Sequence, residues 1–231
     1  IISLDSSHPE YQKDWTSHRS IPAEDYPSSR ILDQDIIEKG IPILSVAIDE
    51  EDINHPETGI IENRKKKGKA WERPCFISYY QKGNLLFAGG AGIRIHGGSK
   101  NKRKSESLRF YFRKIYGYDQ FPPGIIFDEQ SVPIKQIIAR LEFNYASLLA
   151  LDISKQIGCL VPEGHAVSVY VTGKRYGKQY ALTEHLDEDW LRSHYGHDDF
   201  VRLRTTGHPE DRRRSVPYQR LLQWVNDPKI T

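Results

Sequence analysis

Short apolar runs separated by turn-forming residues dominate the first half of the chain. Residues 42–49 and 73–80 have the length and the β-branched and aromatic content of strands, and Lys82-Gly-Asn84 supplies a hairpin turn after the second run. Residues 88–98 predict a strand that enters a glycine-bearing loop, and the alternation in residues 108–113 predicts the returning strand. The first half is therefore predicted to consist mainly of strands.

The second half mixes strands with helices. Residues 133–142 predict a further strand, and residues 166–171 and 179–184 predict a hairpin across residues 172–177.

Three helices are predicted over residues 144–158, 187–195 and 216–225, and Gly196 suits the end of the second. The first has a predicted apolar face made of Leu148, Leu149, Leu151 and Ile153. Strands followed by mixed helices and strands favour an α+β fold over alternating βαβ units. We expect an N-terminal extension over residues 1–40 and one domain over residues 41–231.

Composition excludes several classes of protein. The 231 residues carry 33 Lys and Arg against 31 Asp and Glu, a net charge of +2, so nucleic acid is not an expected partner. The longest apolar run, residues 41–48, is far below the roughly 18 residues of a membrane span. Two cysteines cannot form a disulfide framework or a cysteine zinc site. The sequence leaves the compartment open.

The segment from Arg94 to Lys104 is the strongest candidate for chemistry. Glycines let backbone amides approach a phosphate, and following cations can neutralise it. The alternative is a hairpin tip with solvated lysines, since no Walker or kinase glycine motif is present. The residues that would contact phosphate in this segment are Gly97, Gly98, Ser99, Lys100, Lys102, Arg103 and Lys104.

Other polar clusters leave alternatives open. The basic run of residues 64–69 favours a solvated loop over nucleic-acid binding, because no stacking aromatic residues interleave with it. Glu184 ends an apolar strand and could pair with a phosphate-binding cation or bind a metal, or it could form a structural salt bridge. His185, His194 and His197 are possible metal ligands without a metal-binding spacing, so no metal ligand is assigned.

Taken together, the motifs resemble the spore coat protein H (CotH) family of atypical protein kinases over roughly residues 40 to 226. The motifs that carry the resemblance are Gly40-Ile-Pro-Ile-Leu-Ser-Val-Ala-Ile-Asp49, Pro56-Glu-Thr-Gly-Ile60, Trp71-Glu-Arg-Pro74, Arg94-Ile-His-Gly-Gly98, Leu108-Arg-Phe-Tyr-Phe-Arg113, Tyr116-Gly117, Val169-Tyr-Val-Thr-Gly173, Tyr176-Gly177, Tyr180, Leu182, Glu184 and Tyr195-Gly196. Their order and spacing are more specific than any one motif.

The resemblance implies a two-lobed protein-kinase-like fold and transfer of the ATP γ-phosphate, with Mg²⁺, to Ser or Thr of proteins such as coat or surface proteins. It implies a spore-surface or secreted location. Glu184 is the implied catalytic residue. The implied nucleotide-binding residues are Arg94, Gly97, Gly98, Ser99, Lys100, Lys104, Arg109 and Tyr180.

The chain departs from the family pattern at three positions. Lys100 follows Ser99 where an Arg is usual, Glu106 stands where a Lys is usual, and Thr172 stands where an Asn is usual. The family's catalytic and metal-binding aspartates follow a helix that residues 221–227 resemble, so we expect the end of the catalytic lobe to be missing from this chain. The alternative function is a non-catalytic pseudokinase or surface interaction protein on the same scaffold.

Overall fold

A computed structural model of the chain describes residues 38–97, 106–127, 133–141, 146–177 and 179–196, together with residues 220, 223 and 224. The predicted N-terminal extension lies almost entirely outside these residues, and so does most of the predicted helix over residues 216–225. The chain divides into two compact units between His185 and Leu186, inside the single domain expected from the sequence.

The first unit is built from strands. The described strands are β1 (Ile43–Ala47), β2 (Arg73–Gln81), β3 (Asn84–Ile95), β4 (Leu108–Tyr111), β5 (Gln136–Leu141), β6 (Gly164–Val171), β7 (Lys174–Arg175) and β8 (Tyr180–Glu184). Two short helices accompany them, α1 (Glu50–Asn54) and α2 (Ala146–Gln156), with 3-10 turns at Lys69–Trp71 and Lys114–Tyr116. The strands expected from the sequence are thereby confirmed, with shifts of a few residues at their ends.

Seven of these strands close into a barrel. The order is β1-β2-β3-β4-β5-β8-β6, and β6 returns to pair with β1, while β7 only extends the hairpin from β6. The β1–β6 pair is parallel and every other neighbouring pair is antiparallel. Closure removes the exposed edges that an open sheet would present.

This barrel corrects the expected fold class. The predicted α+β, two-lobed kinase-like architecture is wrong, because most of the regular secondary structure of the described residues is strand and the first unit is one closed mixed sheet. The individual strands follow from local periodicity, but closure depends on pairing between β1 and β6, whose partners, such as Ile43 and Ser168, are 125 residues apart along the chain. No local sequence signal encodes that pairing.

Alternation along the strands decides which side chains fill the barrel. Ile93, Phe110 and Ile137 stand opposite one another on β3, β4 and β5, and all are buried in the core. Their sequence neighbours point outwards because successive side chains on a strand alternate between faces. The inner rows of these three strands are therefore apolar, and polar side chains such as Arg94 and Arg109 belong to the outer rows.

Two tight turns set the register of the long hairpins. Lys82 and Gly83 have φ values of 50° and 77°, and Thr172 and Gly173 have 49° and 75°. Positive φ at both central residues is the signature of a type I′ turn, whose twist matches that of antiparallel strands. The predicted turn at Lys82-Gly is confirmed. The predicted pairing of residues 166–171 with 179–184 is confirmed at Ala166↔Ala181 and Val167↔Tyr180, whereas Tyr170 and Val171 pair with β7.

Three phenylalanines pack together at one part of the barrel core. The ring centroid of Phe121 lies 4.5 Å from that of Phe87 and 5.0 Å from that of Phe112, and Phe87 meets Phe112 edge-on at 6.4 Å. Phe121 is fully buried, in a segment after β4 that forms an isolated bridge with Ile134. The cluster ties this connection to the barrel.

A buried ion pair joins the loop before β2 to the start of β4. Arg64 and Glu106 contact each other with side chains only 5% and 4% exposed. Two tyrosines hold the Glu106 backbone: its N–H donates to the Tyr176 hydroxyl at 3.1 Å, and its carbonyl accepts from the Tyr180 hydroxyl at 2.9 Å. Glu106, a departure from the family pattern, is thus part of the barrel's internal support.

Helix α2 exists as predicted, but its expected apolar face is only partly used. Leu148 and Leu151, spaced i and i+3, are half-buried, whereas Leu149 and Ile153 are 60% and 50% exposed. The four leucine and isoleucine positions span two faces of the helix, and only one face can meet the barrel.

The second unit is described mainly by helix α3 (Glu188–Tyr195). The Asp187 carboxylate caps it by accepting from the Trp190 N–H at 2.9 Å, and Gly196 ends it with φ of 74°. Among the described residues of the whole chain, no helix has the length and apolar character to cross a membrane.

Candidate anion-binding site

Two arginines face each other on the outside of the barrel. Arg94 on β3 and Arg109 on β4 are direct cross-strand partners. They point outwards because Ile93, Ile95 and Phe110 beside them lie in the core. Like charges directly opposite each other destabilise a sheet, so this pair favours the approach of an anion.

The Arg94 guanidinium is held from two sides. Its Nη1 donates to the Gly68 carbonyl at 3.0 Å, and the group lies 5.2 Å from the centre of the Tyr111 ring. Its buried Nε has no hydrogen-bond partner among the described residues. The hydrogen-bonding capacity of Arg94 is therefore not fully used within the described chain.

The Arg109 guanidinium is oriented by a tyrosine and a histidine. It donates to the Tyr111 hydroxyl at 3.4 Å and, through Nη2, to His185 Nε2. Since arginine has no acceptor, His185 Nε2 must accept, which leaves the ring proton on Nδ1. The Arg109 Nε, like that of Arg94, is buried without a partner in the described part of the chain.

His96 follows Arg94 on the same outer row. Its ring meets that of His185 edge-on at a centroid distance of 6.3 Å, and its backbone N–H donates to Ser107 at 2.7 Å. Burial, helped by the charges of Arg109, Arg140 and Arg94, lowers the pKa of His96 to about 3. His96 is therefore neutral near pH 7.

These residues form one cationic surface, which we call the arginine face. No described carboxylate forms an ion pair with Arg94 or Arg109, whereas Arg113 nearby is paired through two hydrogen bonds of 2.9 and 2.8 Å with Glu72. Among the described residues, positive charge is thus compensated at Arg113 and not at the opposed pair. The arginine face consists of Arg94, His96, Arg109, Arg140 and His185.

Glu184 does not lie on this face. It stands opposite Ile137 and therefore points into the barrel, where it is 2% exposed and its Oε2 accepts from the Glu163 N–H at 2.9 Å. Arg109 is in the row of Ile138 and Thr183, which project from the other side of the sheet. The structure therefore does not bring Arg109 to Glu184.

The other predicted nucleotide-binding residues divide into two groups. Tyr180 points inwards and donates to the Glu106 carbonyl, and Gly97 adopts φ of 88° at the end of the described segment after β3. Positive φ there suits glycine and little else. Gly98, Ser99, Lys100 and Lys104 lie outside the described residues.

The sequence did not single out His96 or Arg140 as site residues, and it considered His185 only as a metal ligand. An outer-row pattern was available, because Arg94 with His96 and Arg109 with Tyr111 alternate with core residues. His185 lies 76 residues from Arg109 along the chain, so their contact can be predicted only when the order of the strands in the sheet is known.

Within the described ranges, no group of three or more His, Cys, Asp or Glu side chains could hold a metal ion. We therefore assign no described residue as a ligand of the Mg²⁺ that the resemblance implies. A comparison with protein-family models and a comparison with curated proteins both find no match. The resemblance to the CotH kinases remains a prediction.

His96 should make stability depend on pH. Its pKa is lower in the folded state, about 3, than the ordinary 6.5, so between these values the unfolded chain binds a proton that the folded chain does not. Stability from this group is full above pH 6.5 and is lost as pH falls towards 3. We expect urea unfolding between pH 7 and 4 to show a steeper loss for the native chain than for His96→Gln. Equal slopes would contradict the buried, neutral state of His96.

Proposed function

We propose that the protein binds the phosphates of ATP, as the Mg²⁺ complex, on the arginine face and transfers the γ-phosphoryl group to Ser or Thr of a protein. The observation that supports binding is the opposed pair Arg94 and Arg109, two cross-strand cations that have no carboxylate partner among the described residues. The transfer reaction rests on the resemblance to the CotH kinases.

Arginine suits this role because its planar group donates in a fork that matches phosphate oxygens. His185 and Tyr111 hold Arg109 in a fixed orientation, which lowers the entropic cost of binding. Phosphoryl transfer depends on positioning and charge neutralisation more than on covalent help from the protein, so the chemistry is not tied to one fold. The two-lobed kinase architecture forms no part of the proposal.

A second candidate is a binding protein that does not transfer phosphate. Two placements favour it: Glu106 stands in a buried ion pair where the family usually has a Lys, and Glu184 points into the barrel away from Arg109. Such a protein would use the arginine face only to bind its ligand and would not transfer phosphate.

The binding proposal is tested by titrating Mg-ATP into the chain by calorimetry. Replacing Arg94→Gln and Arg109→Gln together should weaken binding by about 10- to 100-fold, because each loses charge-assisted hydrogen bonds. The matched control removes two exposed cations elsewhere, Lys114→Gln with Lys174→Gln, and should change affinity less than about twofold. Equal affinity in the arginine double variant and the native chain would sink the proposal.

Transfer is tested separately on the full natural protein with γ-labelled ATP. Incorporation of label into protein that needs Mg²⁺ and is lost with the arginine pair supports a kinase. ATP binding without any incorporation supports the second candidate. Glu184→Gln adds a further distinction: a structural carboxylate lowers stability and leaves ATP affinity unchanged, whereas a catalytic one lowers incorporation with stability kept.

A further inference from the structure

A run of lysines lies on an ordered loop between α1 and β2. Lys65, Lys66, Lys67 and Lys69 are all exposed, and we call them the lysine loop. Within the described part of the chain, none of the four forms an ion pair. Glu72, the acid that follows the loop, is already engaged, since it pairs with Arg113. Among the described residues, the positive charge of the loop is therefore not matched by ion pairs.

The backbone of this loop is held by a series of hydrogen bonds. Asn63 N–H donates to the Gly59 carbonyl at 3.1 Å, Lys66 N–H to the Asn63 carbonyl at 2.8 Å, and Trp71 N–H to the Gly68 carbonyl at 3.1 Å. Gly68 adopts φ of 97°, which only glycine takes without strain. An ordered loop presents its lysines in a fixed arrangement, so a partner loses less entropy on binding.

The lysine loop is attached to the arginine face. The Gly68 carbonyl, between Lys67 and Lys69, accepts the hydrogen bond from Arg94 Nη1 at 3.0 Å. The four lysines therefore border the proposed phosphate site and continue its positive charge. A ligand that engages the lysines also passes close to Arg94.

We propose that the lysine loop docks an acidic segment of a protein partner. This deepens the proposed function by naming its substrate class: proteins with Glu- and Asp-rich segments next to the accepting Ser or Thr. The docking itself is independent of the proposed function, and only the statement that the partner is a substrate rests on it. Rows of lysine ammonium groups attract clustered carboxylates and speed their approach, with a strong dependence on salt.

The chemistry of the loop favours an acidic peptide over nucleic acid. Binding of single-stranded nucleic acid uses free aromatic faces for stacking with bases. Trp71 is the aromatic residue of this loop, and its ring is already occupied by Lys66, with Nζ 4.2 Å from the ring centre, and by Arg73 at 5.6 Å. Carboxylates need only ammonium groups, and Lys65, Lys67 and Lys69 are exposed without such a ring contact among the described residues.

The test measures binding of fluorescent peptides to the 231-residue chain by anisotropy. The probes are a Glu-rich peptide with one Ser, its Gln-rich counterpart of equal length, and an oligothymidylate of equal charge. The lysine-loop variant carries Lys→Gln at all four positions. A matched control carries Lys→Gln at four other exposed positions, Lys39, Lys114, Lys155 and Lys174, and has the same net charge.

We expect the Glu-rich peptide to bind the native chain and the control alike and to bind the lysine-loop variant about tenfold or more weakly. The Gln-rich peptide should not bind. An equal loss in the control variant would show a non-specific charge effect and overturn the proposal, and so would tighter binding of the oligothymidylate through the same four lysines.

Mg-ATP titration of the lysine-loop variant separates this proposal from the proposed function. ATP affinity should fall much less than in the Arg94 and Arg109 double variant, since both arginines are intact and the exposed lysines act on the phosphates only through screened charge. Loss of peptide binding with ATP binding kept supports a distinct docking surface. Loss of both would mean that the lysines belong to the phosphate site, which overturns the docking role.

Discussion

Replacing Glu106 by glutamine is expected to lower the free energy of unfolding by about 3–5 kcal/mol, the usual cost of leaving a buried charge without its partner. The Arg64 guanidinium and the Glu106 carboxylate are 5% and 4% exposed, so water cannot replace the lost carboxylate charge. Urea unfolding followed by circular dichroism measures the change. Glu106→Lys, which restores the residue type usual in the CotH family, should cost at least as much, because it places two buried cations together.

Two controls distinguish a buried ion pair from general sensitivity to mutation. Asp189→Asn breaks the Arg192–Asp189 pair of helix α3, whose side chains are 49% and 39% exposed, and should cost at most about 1 kcal/mol. The double variant Arg64→Met with Glu106→Leu should recover most of the loss, because apolar residues replace both buried charges. A cost for Glu106→Gln no greater than that of Asp189→Asn would contradict the buried pair.

Phe121→Ala is expected to lower the free energy of unfolding by about 3–5 kcal/mol, the range for a phenylalanine removed from a core. Phe121 is fully buried and touches the rings of Phe87 and Phe112, so truncation leaves a cavity and removes two aromatic contacts. It also frees the segment that covers the barrel after β4. Thermal unfolding and chemical denaturation measure the effect.

A graded series sharpens this second prediction. Phe121→Leu keeps most of the buried volume and should cost about 1.5 kcal/mol or less. Ile115→Ala, at a position 55% exposed in the same connection, should change stability by no more than about 0.5 kcal/mol. If Phe121→Ala lowered the free energy of unfolding no more than Ile115→Ala, the result would contradict the packing of this segment onto the barrel.

Local patterns were enough to predict most strands and turns. The alternation of residues 108–113 and the Lys82-Gly turn both correspond to the observed structure, because side-chain alternation and positive φ are properties of a few neighbouring residues. Arg94 and Arg109 were also selected from the sequence, and the structure brings them together as cross-strand partners. These two residues of the candidate site could therefore be predicted from the sequence alone.

The sequence alone could not show which face of the sheet a given strand residue occupies. For Glu184, the sequence left open a phosphate-binding cation, a metal or a structural salt bridge as its partner. A shift of one residue along β8 decides between the barrel interior and the outer surface, and Glu184 points inwards. Glu106 was seen only as a departure from the family pattern, although it pairs with Arg64, 42 residues earlier. Both outcomes depend on which strands become neighbours.

The sequence by itself determined where the chain forms strands and hairpins and that cations cluster around Arg94, Arg109 and the lysine loop. Those features arise from periodicity, turn residues and composition, which act over a few residues. Only the tertiary structure decided that β1 pairs with β6 to close a barrel, that His185 orients Arg109, and that Arg94 joins the lysine loop to the arginine face. These contacts join residues far apart in the chain, and their geometry is fixed by strand order and register.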